Sequence, residues 1–511
     1  MSNSRKVVPY RRRSVPQGGR PVVYTPKVRS GAAAFAPGRT SGGENLRRAA
    51  AKALVLVLAL TSLGLCLPDA PPALKPYPGT GMFLLLSDIH FDPYADAAIM
   101  EKLGAKLREG CPASGSASFP KFGKDANYPL LKSALDEVVA TAAENHIHYD
   151  YVIVTGDFLA HSFDSRYRQC VGGGDEAYQK FASDTLAFVD GMIAHALPGV
   201  PVFAALGNND SDKGDYAEPS TAFLHSVGQD WSRAWGDLPA GARAAAAASF
   251  ERAGNYAVPD PAVANHQFII LNSNRWAAHN ARACGETDPD PGGQFQWLGD
   301  VLGTVKRAGG SATLVMHVLP GIDAMRSSMG QPQSLWTERC TEKFVAELTA
   351  YRGVVREIYA GHIHRDDFRI LPDREGKPLL PIHIAPSISP IYFNNPGVEI
   401  GWYDKHTGEL RDYATFKLDL TLPNPTWTAE YVFSRAYGHP RPDLAALKQL
   451  SLEIHESSPH SGVGEKWANY YTVGTGPFLT PDNWMNYSCA QTEITVAHFA
   501  RCKQAAARPR P

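Results

Sequence analysis

Short apolar runs rich in branched residues recur at 82–86, 151–154, 202–206, 268–271, 313–316, 357–360 and 381–385, each bounded by turn or polar residues. Their shortness and continuity predict strands buried on both faces of an α/β sheet, since half-exposed strands would alternate apolar and polar positions. Between them, 128–145 sets Leu130, Leu131, Ala134, Leu135, Val138 and Val139 at helical spacing, and 177–197 behaves likewise. After Leu422-Pro423-Asn424-Pro425 the strand pattern stops, and 440–511 reads as short helices, aromatic residues and the last two cysteines. The pattern therefore predicts a strand-and-helix domain over 81–420 and a small, mainly helical C-terminal region over 421–511.

The start of the chain follows neither period. Residues 1–44 are rich in Arg, Pro, Gly and Ser and predict a disordered basic tail. Residues 45–70 then join a basic segment to an uncharged stretch from Ala53 to Leu67 and a Pro-rich end, the layout of a signal peptide or signal anchor. A free-standing span needs about 20 apolar residues; counting back through the alanines, with Lys52 snorkelling, makes one possible. The basic excess predicts a cytoplasmic N-terminus, membrane contact through this segment, and everything beyond it exported, periplasmic or extracellular, or membrane-anchored.

Charge sharpens that division. The formal net charge of -1 averages two unlike parts: residues 1–52 hold 12 of the 50 Lys+Arg and only Glu44 among the 51 acidic residues. The remainder is mildly acidic, which argues against nucleic-acid binding through a basic surface. Cys66 lies in the apolar stretch; Cys111, Cys170, Cys284, Cys340, Cys489 and Cys502 show no C-x-x-C zinc spacing. In an oxidising compartment these six predict up to three disulfides, Cys489 with Cys502 foremost, with reduced thiols as the alternative.

Candidate chemistry lies where the strands end. The run at 82–86 leads into Ser87-Asp88-Ile89-His90, and that at 151–154 into Thr155-Gly156-Asp157. The run at 202–206 leads into Gly207-Asn208-Asn209-Asp210, 313–316 into His317, and 357–360 into Gly361-His362-Ile363-His364. Carboxyl ends of strands in one sheet edge are the usual place for an α/β site, and Gly156, Gly207 and Gly361 permit tight turns and close backbone approach. Imidazole, carboxylate and amide oxygen without thiolate suit Zn, Mn or Fe. Seven such ligands are too many for one ion and suit two, which together can clamp an in-line phosphoryl displacement. In that arrangement Asp157 bridges, Asp88, His90 and His364 hold one divalent ion, and Asn208, His317 and His362 hold the other. His146-Ile147-His148, by contrast, reads as an ordinary loop before a strand.

Asp-x-His, Gly-Asp, Gly-Asn-x-Asp, a strand-terminal His and Gly-His-x-His, in that order, resemble the calcineurin-like metallophosphoesterase superfamily. The resemblance implies a two-layer β sandwich flanked by helices, and phosphoester hydrolysis by a metal-bridging hydroxide. Gly156-Asp157-Phe158-Leu159-Ala160-His161 resembles the acid sphingomyelinase-like phosphodiesterases, in which a histidine at the position of His161 assists catalysis. Ile384-Ala385-Pro386-Ser387-Ile388-Ser389-Pro390, Asn394-Asn395-Pro396-Gly397 and Phe433-Ser434-Arg435-Ala436-Tyr437-Gly438 are similar to that family too, in its shorter members without a saposin domain. One position departs: the superfamily usually carries His where this chain has Asn209. An amide donates a hydrogen bond to a phosphoryl oxygen but supplies no proton at neutral pH. His161 then carries the acid role alone, or the substrate has a good leaving group.

The expectation is an exported dimetal hydrolase of phosphodiester or phosphoanhydride bonds, acting on a small phosphorylated substrate: a diester, nucleotide, polyphosphate or lipid headgroup. A polyphosphatase or nucleotide phosphatase is the alternative, and a non-catalytic, membrane-tethered binding protein with a structural metal site the second. Specificity is expected from loops 110–125 and 274–294.

Overall fold

The computed structural model describes Leu74 and residues 77–111, 118–280 and 282–506. The expected basic tail, the apolar segment with Cys66 and positions 112–117 of the first loop lie outside the described residues. Among the described residues no helix is long and apolar enough to cross a membrane.

Two six-stranded mixed sheets form the centre. The first holds β1 (Thr80–Leu86), β2 (Tyr151–Val154), β3 (Val202–Ala204), β10 (Gly397–Asp404), β11 (Leu410–Leu418) and β12 (Trp427–Val432), in the order β12-β11-β10-β1-β2-β3. The second holds β4 (Tyr256–Pro259), β5 (His266–Ile270), β6 (Ser311–Val315), β7 (Val355–Ala360), β8 (Asp367–Pro372) and β9 (Pro378–Ile384), in the order β4-β5-β6-β7-β9-β8. β1, β2 and β3 run parallel, as do β5, β6, β7 and β9, while β10 to β12, β4 and β8 pair antiparallel.

Aromatic side chains knit the sheets face to face. Tyr151 of β2 meets Phe268 of β5 at 4.8 Å between ring centroids, Phe203 of β3 meets Phe268 at 4.9 Å, and Phe83 of β1 meets Tyr359 of β7 at 5.5 Å. Such pairs add about 0.5–1.5 kcal/mol each beyond their buried area. On the outer faces, helices Tyr128–Asn145 and Asp175–Ala196 share the core of the first sheet, and Gln294–Arg307 and Glu338–Ala350 that of the second. The expected β sandwich flanked by helices is the observed architecture. His146 caps the first of these helices at φ 53°, well away from the chemistry, as its reading as a loop residue anticipates.

The strand pattern does not end at 422–425. β12 follows that Pro-rich turn and extends the first sheet, and only then come helices Leu444–Glu456, Gly462–Tyr470, Trp484–Ala490 and Val496–Ala506. Its pattern was weak because Trp427 and Ala429 are only partly buried and Thr428 is exposed, as suits an edge strand.

All six cysteines of the described residues pair, as Cys111–Cys170, Cys284–Cys340 and Cys489–Cys502. Non-reducing peptide mapping is expected to recover these three links. Replacing Cys489 and Cys502 together by Ser should lower stability by about 2–4 kcal/mol, read by denaturant unfolding. Free thiols at both positions would reject the pairing.

Candidate metal centre

The parallel strands of both sheets end at one rim. Leu86 pairs with Val154, Val154 with Ala204, and Val315 with Tyr359, so the turns that follow β1, β2, β3, β6 and β7 emerge side by side. These turns are sharp. Asp88, His90, Asp157, His362 and His364 have φ of 46°, 44°, 57°, 75° and 54°, in the left-handed region that non-glycine residues avoid at about 1–2 kcal/mol each. Hydrogen bonds between the turns hold them there: Asp88 N–H donates to Gly156 O at 3.0 Å and His90 N–H to Asp157 O at 2.8 Å. Backbone strain concentrated on candidate ligands is what a functional site looks like. Gly207 and Gly361 let the turns close, since a Cβ at Gly207 would fall on Asp157 and one at Gly361 on Ser87.

The expected residues converge. His90 Nε2 lies 3.0 Å from His364 Nε2 and 3.3 Å from Asp157 Oδ2, and His364 Nε2 is 3.3 Å from Asp88 Oδ1. His317 Nε2 lies 3.0 Å from Asn208 Oδ1 and 3.2 Å from Asp157 Oδ2. Ligand atoms of Asp157, His317 and His362 lie within 4.8 Å of one another, as do those of Asp88, His90 and Asp157, and those of His90, His161 and His364.

Hydrogen bonding around this cluster fixes which atoms face inward. His90 Nδ1–H donates to Leu159 O at 3.0 Å and His317 Nδ1–H to Thr155 O at 2.9 Å, so in the neutral rings both Nε2 atoms present lone pairs. Asn208 Nδ2 donates to Asp215 Oδ1 at 2.7 Å, which turns its Oδ1 toward His317. With His317 neutral, lone pair faces lone pair at Asn208 Oδ1, and a cation there, a proton on the ring or a metal ion in its place, resolves the conflict. The residues present fit divalent metal.

Electrostatics agree. Burial, then the charge of His161, lowers His90 to about 4; burial, then His317, lowers His362 to about 3; and burial, then His90, holds His364 well below its ordinary value. These imidazoles are in the neutral, ligating form. Burial would raise Asp157, but His317 and His90 pull it well below the usual carboxylate range. Burial likewise opposes charge on His317, yet Asp157, Asp88 and Asp210 lift it to about 9. The site calls for positive charge at its centre.

His161 is part-buried and stacks on His90 at 4.1 Å between centroids. Its Nδ1 is 2.9 Å from Asp125 Oδ1 and its backbone N–H donates to Asp125 Oδ2 at 3.0 Å, leaving Nε2 on the cleft side, 3.5 Å from Tyr392 OH. Although burial opposes it, the Asp125 carboxylate raises His161 above its ordinary value. Asn209 meets the carboxylate of Asp157. Its side-chain Nδ2 donates to Asp157 Oδ2 at 2.9 Å and its backbone N–H to Asp157 Oδ1 at 2.8 Å. Asp210, the last residue of Gly-Asn-x-Asp, accepts from the backbone N–H groups of Phe158, Leu159 and Gly207 at 2.8–3.0 Å and ties the β2 and β3 turns together.

Several members of the site have no sequence signal. Asp125, Asp215, Tyr216 and Tyr392 sit on irregular segments and act through contacts between distant turns; Tyr216 OH, for example, lies 3.1 Å from His362 Nε2. A cleft opens beside the cluster, lined by Asp157, His161, Asn208, His362 and His364. Loop 274–294 reaches it through His279, while loop 110–125 contributes Asp125 behind His161. The remaining wall, including Arg326, Arg365, Arg369, Tyr471, Phe478 and Tyr487, comes from segments that the sequence reading did not single out.

Residues 81–366 match the family described as calcineurin-like phosphoesterase. The chain is similar to "Acid sphingomyelinase-like phosphodiesterase 3b" of Mus musculus, 27% identical over 448 residues that cover 83% of this chain and 90% of that protein. It is similar to "Cyclic GMP-AMP phosphodiesterase SMPDL3A" of Homo sapiens, 26% identical over 456 residues covering 86% and 94%. Similarity extends to "Sphingomyelinase phosphodiesterase D" of Dictyostelium discoideum, 26% identical over 397 residues covering 76% and 82%.

Proposed function

This chain belongs to the calcineurin-like phosphoesterase family and is a metal-dependent phosphoester hydrolase, and on that premise we propose that it is an exported dimetal enzyme cleaving phosphodiester or phosphoanhydride bonds. The observation that carries the reading is the convergence of His90, His364, His317 and Asn208 on the carboxylate of Asp157. Asp88, His90 and His364 would hold one divalent ion, Asn208, His317 and His362 the other, with Asp157 shared. Zn, Mn and Fe suit this donor set. When bound, such ions supply Lewis acidity and a nucleophilic water at neutral pH.

The chain's own groups do the rest. Asp125 fixes the ring of His161 and favours its protonated form, so that Nε2 can deliver a proton to the departing oxygen from beside the cluster. Asn209 acts as a positioning residue: its two N–H donors orient Asp157. Tyr216 and Asp215 orient His362 and Asn208 in the same way. Export is supported by three disulfides, which persist in oxidising compartments.

Metal analysis of the purified protein with a panel of phosphomonoesters, bis(p-nitrophenyl) phosphate, nucleotides, polyphosphate and sphingomyelin tests the reading. Two ions per chain and turnover of diesters or anhydrides are expected. Turnover of monoesters alone would overturn the bond assignment, and one ion per chain the paired centre.

A further inference from the structure

Arg365 follows directly on His364, and its side chain is 3% exposed. Nη1 donates to His364 O and Nη2 to Tyr392 O, both at 3.1 Å. Its guanidinium lies 4.3 Å from the ring centre of Phe478 and 5.7 Å from that of Tyr471. Among the described residues no carboxylate pairs with it. A buried cation held only by carbonyls and aromatic faces is expensive unless an anion completes its shell.

A second cation stands on the same wall. Arg369 of β8 is 4% exposed; its Nε lies 3.7 Å from Asp367 Oδ2, and its Nη1 is buried without a hydrogen-bond partner. Asp367 is itself shared with Trp467 Nε1 at 3.1 Å and Gln491 Nε2 at 3.4 Å. Both arginines line the cleft that holds Asp157, His161 and His364, with Arg326 at its more exposed side. The acidic groups of that cleft are otherwise engaged. Asp157 lies in the cluster, Asp215 accepts from Asn208, and Asp323 caps a short helix and pairs with Arg326.

We propose that Arg365 and Arg369 form a subsite for a second anionic group of the substrate, next to the phosphoryl group that is cleaved. The inference rests on the phosphoester-hydrolase reading and narrows it. Favoured substrates carry a further phosphoryl group, as phosphoanhydrides and nucleoside polyphosphates do. Phosphocholine esters are disfavoured, because the two buried guanidinium cations on the same wall repel a quaternary ammonium. An anion there gains charge-assisted, two-pronged hydrogen bonds of the kind guanidinium groups make best.

The test compares kcat/KM for adenosine triphosphate, bis(p-nitrophenyl) phosphate and p-nitrophenyl phosphorylcholine in the metal-loaded protein and in Arg369→Met. The wild type should turn over the phosphorylcholine ester least efficiently. In Arg369→Met the ratio of triphosphate to bis(p-nitrophenyl) efficiency should fall about 10-fold or more, through KM. Arg365→Lys, which keeps charge but not the fork, should lower the same ratio. Independently of turnover, inorganic tripolyphosphate should raise the melting temperature of the wild type, and Arg369→Met should lose most of that shift. A preference for the phosphorylcholine ester, or an unchanged ratio and an unchanged shift in Arg369→Met, would overturn the subsite. Absence of turnover of all three substrates by the metal-loaded wild type, with the tripolyphosphate shift present, would instead overturn the hydrolase reading and leave the anion site standing.

Discussion

Asp157→Asn should leave the protein folded, strip it of most of its metal and lower kcat on bis(p-nitrophenyl) phosphate by about 10³-fold. Folding survives because Asn tolerates the left-handed region better than most residues, so φ of 57° at this position is kept at little cost. Removing a single transition-state contact typically costs about 10²–10³-fold, and here the change removes the one carboxylate that both halves of the cluster share. An amide has a single acceptor oxygen. In one orientation its Nδ2 would meet His90 Nε2, His317 Nε2 and the Nδ2 donor of Asn209, which now surround Asp157 Oδ2; flipped, it would meet the backbone N–H of Asn209, which now donates to Oδ1. Elemental analysis with circular dichroism checks the prediction, and full activity with two bound ions would refute the bridging role. Asn209→Ala is the graded control: it removes one donor to Asp157 and should weaken metal affinity by about 10–100-fold, with kcat recovering at saturating metal.

The residues at the rim were legible because their chemistry is tied to strand ends. An apolar run that stops at Asp88, Asp157 or His317 announces both the strand and the ligand, and parallel pairing does the rest. β10 and β11 were not legible, because their interior is polar. Glu399 of β10 is buried against His383 at 2.6 Å, Thr415 of β11 donates to Asp366 at 2.7 Å, and Asp412 of β11 accepts from the backbone N–H of Ser434 at 3.0 Å. A strand whose buried side chains satisfy one another across the fold shows no apolar run. The residues that surround the metal cluster escaped for a different reason. Asp125 lies 36 positions from His161, and Tyr216 lies 146 from His362, with no fixed spacing to search for. Arg365 and Arg369 escaped because Lys and Arg are read as solvent-facing until burial shows otherwise.

His161→Ala separates proton delivery from metal binding. A general acid contributes about 10²–10⁴-fold when the departing oxygen is a strong base, and its benefit shrinks when that oxygen leaves as a stable anion. Loss of His161 should therefore slow alkyl phosphodiesters by about 10²-fold or more and p-nitrophenyl diesters much less. Metal content should stay near that of the wild type, since Nδ1 of His161 is committed to Asp125 and its ring stacks on His90 instead of completing the ligand set. Asp125→Asn should give a milder loss with the same leaving-group dependence, because an amide can still orient the ring but lacks the charge that favours its protonated form. Equal losses on good and poor leaving groups would show that His161 positions the phosphoryl group. Loss of metal in His161→Ala would make it a ligand beside His90 and His364, whose ring nitrogens lie within 4.8 Å of its own. Proton delivery would then fall to another group at the cleft, and Tyr392, with its hydroxyl 3.5 Å from His161 Nε2, is in place for it.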